Sequence, residues 1–177
     1  MTSKLFSASK IKKICKNIKL VITDVDGVLT DGSRYYSKDG EILKKFHVRD
    51  GMGVNLLLRN NIKTVIITKE KSSIVKYWSD EMNISKLFME IKNKETLLLK
   101  ICDSFSVKPC EIAYIGDDVN DIELMKLIGL SVIPNDADFY TKKYANYICK
   151  TCSGRGAFRE LVNLILMSKF PQKNNLY

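Results

Sequence analysis

Apolar residues in this chain fall into short continuous runs, each closed by small, hydroxylic or acidic residues. Leu20–Thr23, Thr64–Thr68, Lys86–Met89, Ile112–Ile115, Leu130–Ile133 and Tyr147–Ile148 read as strands. Between them, apolar positions recur at three- and four-residue spacing near 51–60, 71–83, 94–105, 119–128, 137–144 and 156–168, which predicts helices. Ile11, Ile14, Cys15 and Ile18 share one face of a shorter N-terminal helix, and 170–177 reads as a loose tail. Alternation of strand and helix predicts an α/β fold, a parallel sheet covered by helices on both faces. Ligands then bind at the carboxyl ends of the strands. One stretch departs from the alternation. Ser33 to Phe46 reads as two short strands around Lys38-Asp-Gly40, a β-hairpin insertion. The intervals Asp26–Thr68 and Thr68–Lys94 are filled by these elements, which leaves no room for a large cap domain.

The chemistry lies where the runs stop. Leu20-Val-Ile-Thr-Asp-Val-Asp-Gly-Val-Leu-Thr30 carries a strand into a tight loop with two carboxylates at i and i+2. Asp24 is placed as a nucleophile and Asp26 as a general acid/base, a pairing suited to phosphoryl transfer through an aspartyl-phosphate. A solvated Asp-rich turn is the simpler reading of those residues alone. Downstream, Ile112–Ile115 runs into Gly116 and then Asp117, Asp118 and Asp121, at the start of a helical pattern. Helix capping accounts for some of this negative charge. Three acids in five positions exceed what a cap needs, and a Mg²⁺ site accounts for the excess. Between the clusters, Thr68 ends a strand and Lys94 opens a helix. A hydroxyl and an ammonium suit the non-bridging oxygens of a phosphoryl group.

The order Asp-x-Asp, Thr, Lys, Gly-Asp-Asp-x-x-Asp resembles the haloacid dehalogenase superfamily of phosphotransferases, over about residues 19–165. The resemblance implies that Asp24 is the nucleophile, and that Asp26 is the acid/base and also binds Mg²⁺ through its backbone carbonyl. It implies that Thr68 and Lys94 hold the phosphoryl group, that Asp117 binds Mg²⁺, and that Asp118 and Asp121 support the metal site or Lys94. Asp24-Val-Asp-Gly-Val-Leu-Thr-Asp-Gly32, Phe46-His-Val-Arg-Asp-Gly-Met-Gly53 and Ser153-Gly-Arg-Gly-Ala-Phe-Arg-Glu160 narrow it further. Together they resemble a capless subfamily of phosphatases acting on 3-deoxy-D-manno-octulosonate 8-phosphate or on nine-carbon, sialic-acid-type (nonulosonate) 9-phosphates. The phosphatase-like C-terminal domain of some acylneuraminate cytidylyltransferases belongs there too, which leaves a catalytically weak oligomerisation domain as an alternative. The subfamily implies a Rossmann-like core, a homotetramer, and sugar contacts from Thr30, His47, Arg49, Asp50, Gly51, Glu70, Lys94 and Arg155.

Substrate choice turns on Thr68-Lys-Glu-Lys-Ser-Ser-Ile-Val-Lys-Tyr-Trp78. The octulosonate phosphatases carry arginines where this chain has Glu70 and Trp78. Glu70 resembles the nine-carbon branch, so a nonulosonate 9-phosphate is the first expectation and the octulosonate 8-phosphate the second. Glu81 departs from the basic residue of the nine-carbon enzymes.

Length and composition bound these readings. The 177 residues suit one domain, with its core at about 19–168. No apolar stretch approaches a bilayer span, and the basic N-terminus lacks the apolar core of a signal peptide. The net charge of +9 is mostly dispersed lysine without nucleic-acid-binding motifs. A basic rim draws in an anionic sugar phosphate. Five cysteines read as reduced thiols of a cytoplasmic protein. Cys149-x-x-Cys152 has no second pair to complete a zinc knuckle. His47 is the sole histidine, which excludes multi-histidine metal sites.

Overall fold

A computed structural model describes residues 5–172; residues 1–4 and the 173–177 part of the expected tail lie outside it. The first helix, α1 (Ala8–Cys15), is capped by Ser7, whose Oγ accepts from the Lys10 amide. Six strands then build one parallel sheet: β1 (Leu20–Thr23), β4 (Lys63–Ile67), β5 (Lys86–Phe88), β6 (Ile112–Ile115), β7 (Leu130–Ile133) and β8 (Tyr147–Ile148). Their order is β5-β4-β1-β6-β7-β8, so β1 is central. The hairpin strands β2 (Tyr35–Ser37) and β3 (Gly40–Leu43) stand apart as an antiparallel pair.

The inner strands β1, β4, β6 and β7 are largely apolar because both of their faces are covered. Val21, Ile66, Ala113 and Val132 face a core shared with α1, α2 (Val48–Arg59) and α6 (Ala157–Lys169). Leu20, Ile22, Val65, Ile67 and Tyr114 face the opposite core, under α4 (Leu98–Phe105) and α5 (Ile122–Leu127). Adjacent residues point to opposite faces, so an unbroken run fills two cores at once. Each such side chain, fully buried, contributes roughly 1.5–3 kcal/mol. On the hairpin side, α3 (Ser73–Glu81) opens at Ser72, whose Oγ accepts from the Val75 amide.

Several boundaries move for local reasons. The helix expected at 51–60 starts at Val48, because His47 caps it and its Nδ1 accepts from the Arg49 amide at 3.3 Å. The helices expected at 94–105 and 119–128 each begin as a 3-10 turn, Lys94–Leu97 and Val119–Asp121. The helix expected at 137–144 is only a 3-10 turn, Thr141–Tyr144. There Asp138 Oδ2 accepts from both the amide and the hydroxyl of Thr141, and this side-chain turn replaces a helical one. No helix among the described residues is long and apolar enough to cross a membrane.

Candidate active site

The register sets the site. Thr23, the last residue of β1, lies opposite Ile66 of β4 and Ile115 of β6. The next residue, Asp24, therefore emerges between the loops that follow both neighbours. Its amide still donates to Ile115 O at 3.0 Å, which extends the ladder one residue and fixes the carboxylate at the strand end. Asp24 Oδ1 accepts from the Val25 amide at 2.7 Å, and Oδ2 from Lys94 Nζ at 2.5 Å.

Lys94 is fully buried and also donates to Asp121 Oδ1 at 2.6 Å and Tyr114 Oη at 3.1 Å. Burial pulls its pKa down, but the charges of Asp24 and Asp121 outweigh this and leave it above the usual lysine value. Asp121 is saturated. Besides Lys94, Oδ1 takes the Tyr114 hydroxyl at 2.5 Å, and Oδ2 takes the amides of Asp117 and Asp118 at 2.7 and 3.2 Å. Asp121 thus orients the loop that presents Asp117.

After β1 the chain turns tightly, with the amides of Val28, Leu29 and Thr30 all donating to Val25 O. Gly27 has φ +78°, and a Cβ there would overlap the Asp117 carboxylate. Glycine is required both for the left-handed conformation and for the close approach. Gly154, at φ +60°, donates its amide to Val28 O at 3.0 Å and packs on the backbone of Thr30 and Asp31. The loop before α6 is thereby fastened to the loop carrying Asp26.

Asp24, Asp26, Thr68, Glu70, Asp117 and Asp118 share an open pocket of about 250 Å³. Facing oxygens of Asp24, Asp117 and Asp121 lie within 4.8 Å of one another. Burial lifts Asp24 to about 7, against the pull of Lys94. Burial, followed by the charges of Asp24 and Asp121, lifts Asp117 to about 8. Such crowding of oxygens calls for a hard cation. Asp121 takes two donors on each oxygen, whereas Asp24 takes one on each, so Asp24 and Asp117 keep lone pairs with which to hold it.

The other expected site residues are distributed as follows. Thr68 is buried at the end of β4, and its Oγ1 accepts from the Glu70 amide at 3.3 Å. Thr30 is buried and donates to Asp26 Oδ1 at 3.1 Å. Asp118 is exposed and accepts from the Val119 amide. Glu70 pairs with Arg34 of the hairpin at 2.7 Å. Asp50 and Gly51, expected at the sugar, are instead buried. Asp50 Oδ1 accepts from the Arg159 amide at 2.8 Å at the start of α6, and Gly51 lies against the Met82 sulfur. His47 lines a separate apolar pocket with Phe46 and Trp78, whose rings stack at 4.7 Å. Arg49 and Arg155 line a third pocket with Arg159.

Two functional neighbours escaped the sequence reading. Tyr114 sits within an apolar strand and gives no sign of its hydroxyl's role. Lys44, at the root of the hairpin, is one lysine among many, yet it is buried and reaches Asp26 Oδ1 at 2.6 Å.

This fold brings paired acids at the end of its central strand together with a buried lysine held between two acidic loops. The chain belongs to the haloacid dehalogenase-like hydrolases, whose family model matches residues 54–161. It is 38% identical to the 3-deoxy-D-manno-octulosonate 8-phosphate phosphatase of Haemophilus influenzae, over 87% of this chain and 86% of that protein. Among solved structures, the enzyme of the same name from Yersinia pestis superposes with a TM-score of 0.90 at 34% identity, covering 93% and 89% of the two chains. That from Moraxella catarrhalis, in complex with magnesium, phosphate and the octulosonate (KDO), gives a TM-score of 0.88 at 32% identity, covering 91% and 92%. The chain is thus a phosphoric monoester hydrolase of the sugar-phosphatase kind. Its cofactor is Mg²⁺, which the oxygen-only donor set fits.

Proposed function

We propose that this enzyme hydrolyses the phosphate ester of a 3-deoxy-ulosonate sugar, with the eight-carbon octulosonate 8-phosphate as the preferred substrate. The observation that carries the chemistry is Asp24, buried at the end of the central strand and hydrogen-bonded to Lys94. A carboxylate oxygen of Asp24 attacks phosphorus, and the bond from phosphorus to the sugar oxygen breaks. Asp26 gives its proton to the departing oxygen and later takes one from water. That water attacks the aspartyl-phosphate, releasing inorganic phosphate and restoring the Asp24 carboxylate. Lys94 orients Asp24 and offsets charge on the equatorial oxygens, with Thr68 beside it. Mg²⁺, held by Asp24, Asp117 and the Asp26 carbonyl, would supply further charge neutralisation when bound.

Substrate preference follows from Glu70 and the relatives. Glu70 favours a nine-carbon sugar only if its carboxylate is available to sugar hydroxyls. Its ion pair with Arg34 weakens that reading, and the relatives at 38% identity are named for the octulosonate. The nonulosonate 9-phosphate remains a second reading, because Glu70 lines the same pocket as Asp24. An oligomerisation-only role loses its basis, since the full set of phosphotransfer groups is retained.

The pocket is open and the described residues form no cap domain, so a second copy is the economical lid. Tyr35, Tyr36, Ile42 and Leu43 expose their side chains on the hairpin, which supports a homotetramer built through it. The five free thiols suit the cytoplasm.

The test is phosphate release with Mg²⁺ from octulosonate 8-phosphate, two nonulosonate 9-phosphates and hexose phosphates, with Asp24→Asn as control. The expected result is preference for the octulosonate, abolished by the substitution. Preference for a nine-carbon acid would restore Glu70 as the selector. Light scattering of the same sample reads the oligomeric state.

A further inference from the structure

We infer that Lys44 is the positioning residue for Asp26, so that the hairpin takes part in catalysis and is not only a contact surface. The inference rests on Asp26 acting as the acid/base. It starts from how the Asp26 carboxylate is held. Oδ1 accepts from Lys44 Nζ at 2.6 Å and from Thr30 Oγ1 at 3.1 Å. Two donors on one oxygen fix the rotation of the carboxylate. The other oxygen, Oδ2, is shut off from bulk water and has no partner. An unpartnered buried oxygen is rare, and at a reacting group it marks the position that substrate or water completes. With Oδ1 taken by two donors, Oδ2 is the oxygen left to exchange a proton once the leaving group reaches it.

Lys44 is itself constrained from the far side. Its side chain is fully buried and forms a second ion pair with Glu41 Oε1 at 2.9 Å. Glu41 Oε2 accepts from Ser72 Oγ at 2.6 Å, and Ser72 caps α3. The chain Ser72–Glu41–Lys44–Asp26 thus runs from the start of α3, through the hairpin, into the catalytic loop. A buried ammonium between two carboxylates has little freedom to move, which is what a positioning group requires. Lys44 lies eighteen residues beyond Asp26 and touches neither Asp24 nor Lys94 among the contacts of the described residues.

Leaving-group dependence separates positioning of the acid from general support of the fold. An alkyl sugar phosphate needs its leaving oxygen protonated, whereas p-nitrophenyl phosphate expels a stable phenolate. Because kcat/KM reports only steps through leaving-group departure, it isolates the acid role. Wild type, Asp26→Asn, Lys44→Met and Lys44→Arg would be compared on both substrates. Asp26→Asn should lose roughly 100-fold or more on the sugar phosphate and far less on the aryl ester. Lys44→Met should repeat that selectivity at roughly tenfold or more, with Lys44→Arg recovering part of it. If Lys44→Met does not fold, Lys44→Gln, which keeps a donor without the charge, carries the same comparison. Equal losses on both substrates, or none, in the Lys44 variants while Asp26→Asn remains selective would overturn the role of Lys44 alone. A non-selective Asp26→Asn would overturn the acid/base reading beneath it.

Discussion

Replacing Asp50 by Asn should remove part of this enzyme's loss of stability with rising pH, at a place remote from the chemistry. Asp50 is fully buried near the start of α2, and Oδ1 accepts from the Arg159 amide at the first turn of α6. Two influences compete there. The positive end of α6 and the arginine beside it favour the ionised form. Burial disfavours it, and burial wins, raising Asp50 from 3.8 to about 6. The folded state therefore holds this proton more tightly than the unfolded chain does. Its stability is lost as the pH rises from the unfolded value through the folded one. Between about pH 4.5 and about pH 7.5 the wild type should lose roughly 2 kcal/mol through this group alone. Asn keeps the acceptor and cannot ionise, so the variant lacks that slope. Urea unfolding of both proteins at the two pH values reads the effect. Any constant cost of the substitution cancels in the double difference. With an m value of about 2 kcal/mol/M, the midpoint of the variant should gain roughly 1 M on the wild type across the interval. An unchanged gap would show that the helix end and the arginine balance burial, so that Asp50 titrates alike in the folded and unfolded chain. A gap moving the other way would mean that the helix end and the arginine outweigh burial.

Two further outcomes bear on the phosphate pocket. Lys94→Met should abolish turnover and destabilise the protein by roughly 3–5 kcal/mol at neutral pH, since it leaves buried carboxylates without their cation; a loss below about 1 kcal/mol in chemical denaturation would refute this. Gly27→Ala should displace Asp117 and strain a left-handed residue, so that saturating Mg²⁺, which should raise the wild-type melting temperature, raises the variant's much less; equal Mg²⁺-induced shifts in the two proteins would refute the packing argument.

Much of the fold was legible because the inner strands of the sheet are covered on both faces, and a doubly covered strand shows as a nearly unbroken apolar run. The hairpin was legible from Asp39-Gly40. What failed was the helix at 137–144, where an Asp138 side chain takes the hydrogen bonds a helix would have used. At the site, Asp24, Asp26, Thr68, Glu70, Asp117 and Asp118 could be gathered from the sequence because strand ends in a parallel sheet converge. Residues in the 46–53 segment were less tractable. The motif around Asp50 does not say which way its side chain faces, and Asp50 turns inward to serve α6. Lys44 and Tyr114 were invisible for a different reason. Each matters only through a partner distant in sequence, Asp26 for the first and Lys94 with Asp121 for the second.

The central position of β1 has a consequence for how the enzyme fails under heat. Asp24 follows directly on a strand paired on both sides, and its own amide is bonded to β6. Freeing Asp24 from its place means separating the middle of the sheet, which is the cooperative unit of the whole molecule. The paired acids have no cheap route to local fraying. Slow amide exchange at Asp24 should therefore persist up to the temperature at which the sheet itself comes apart, while the hairpin can open below it.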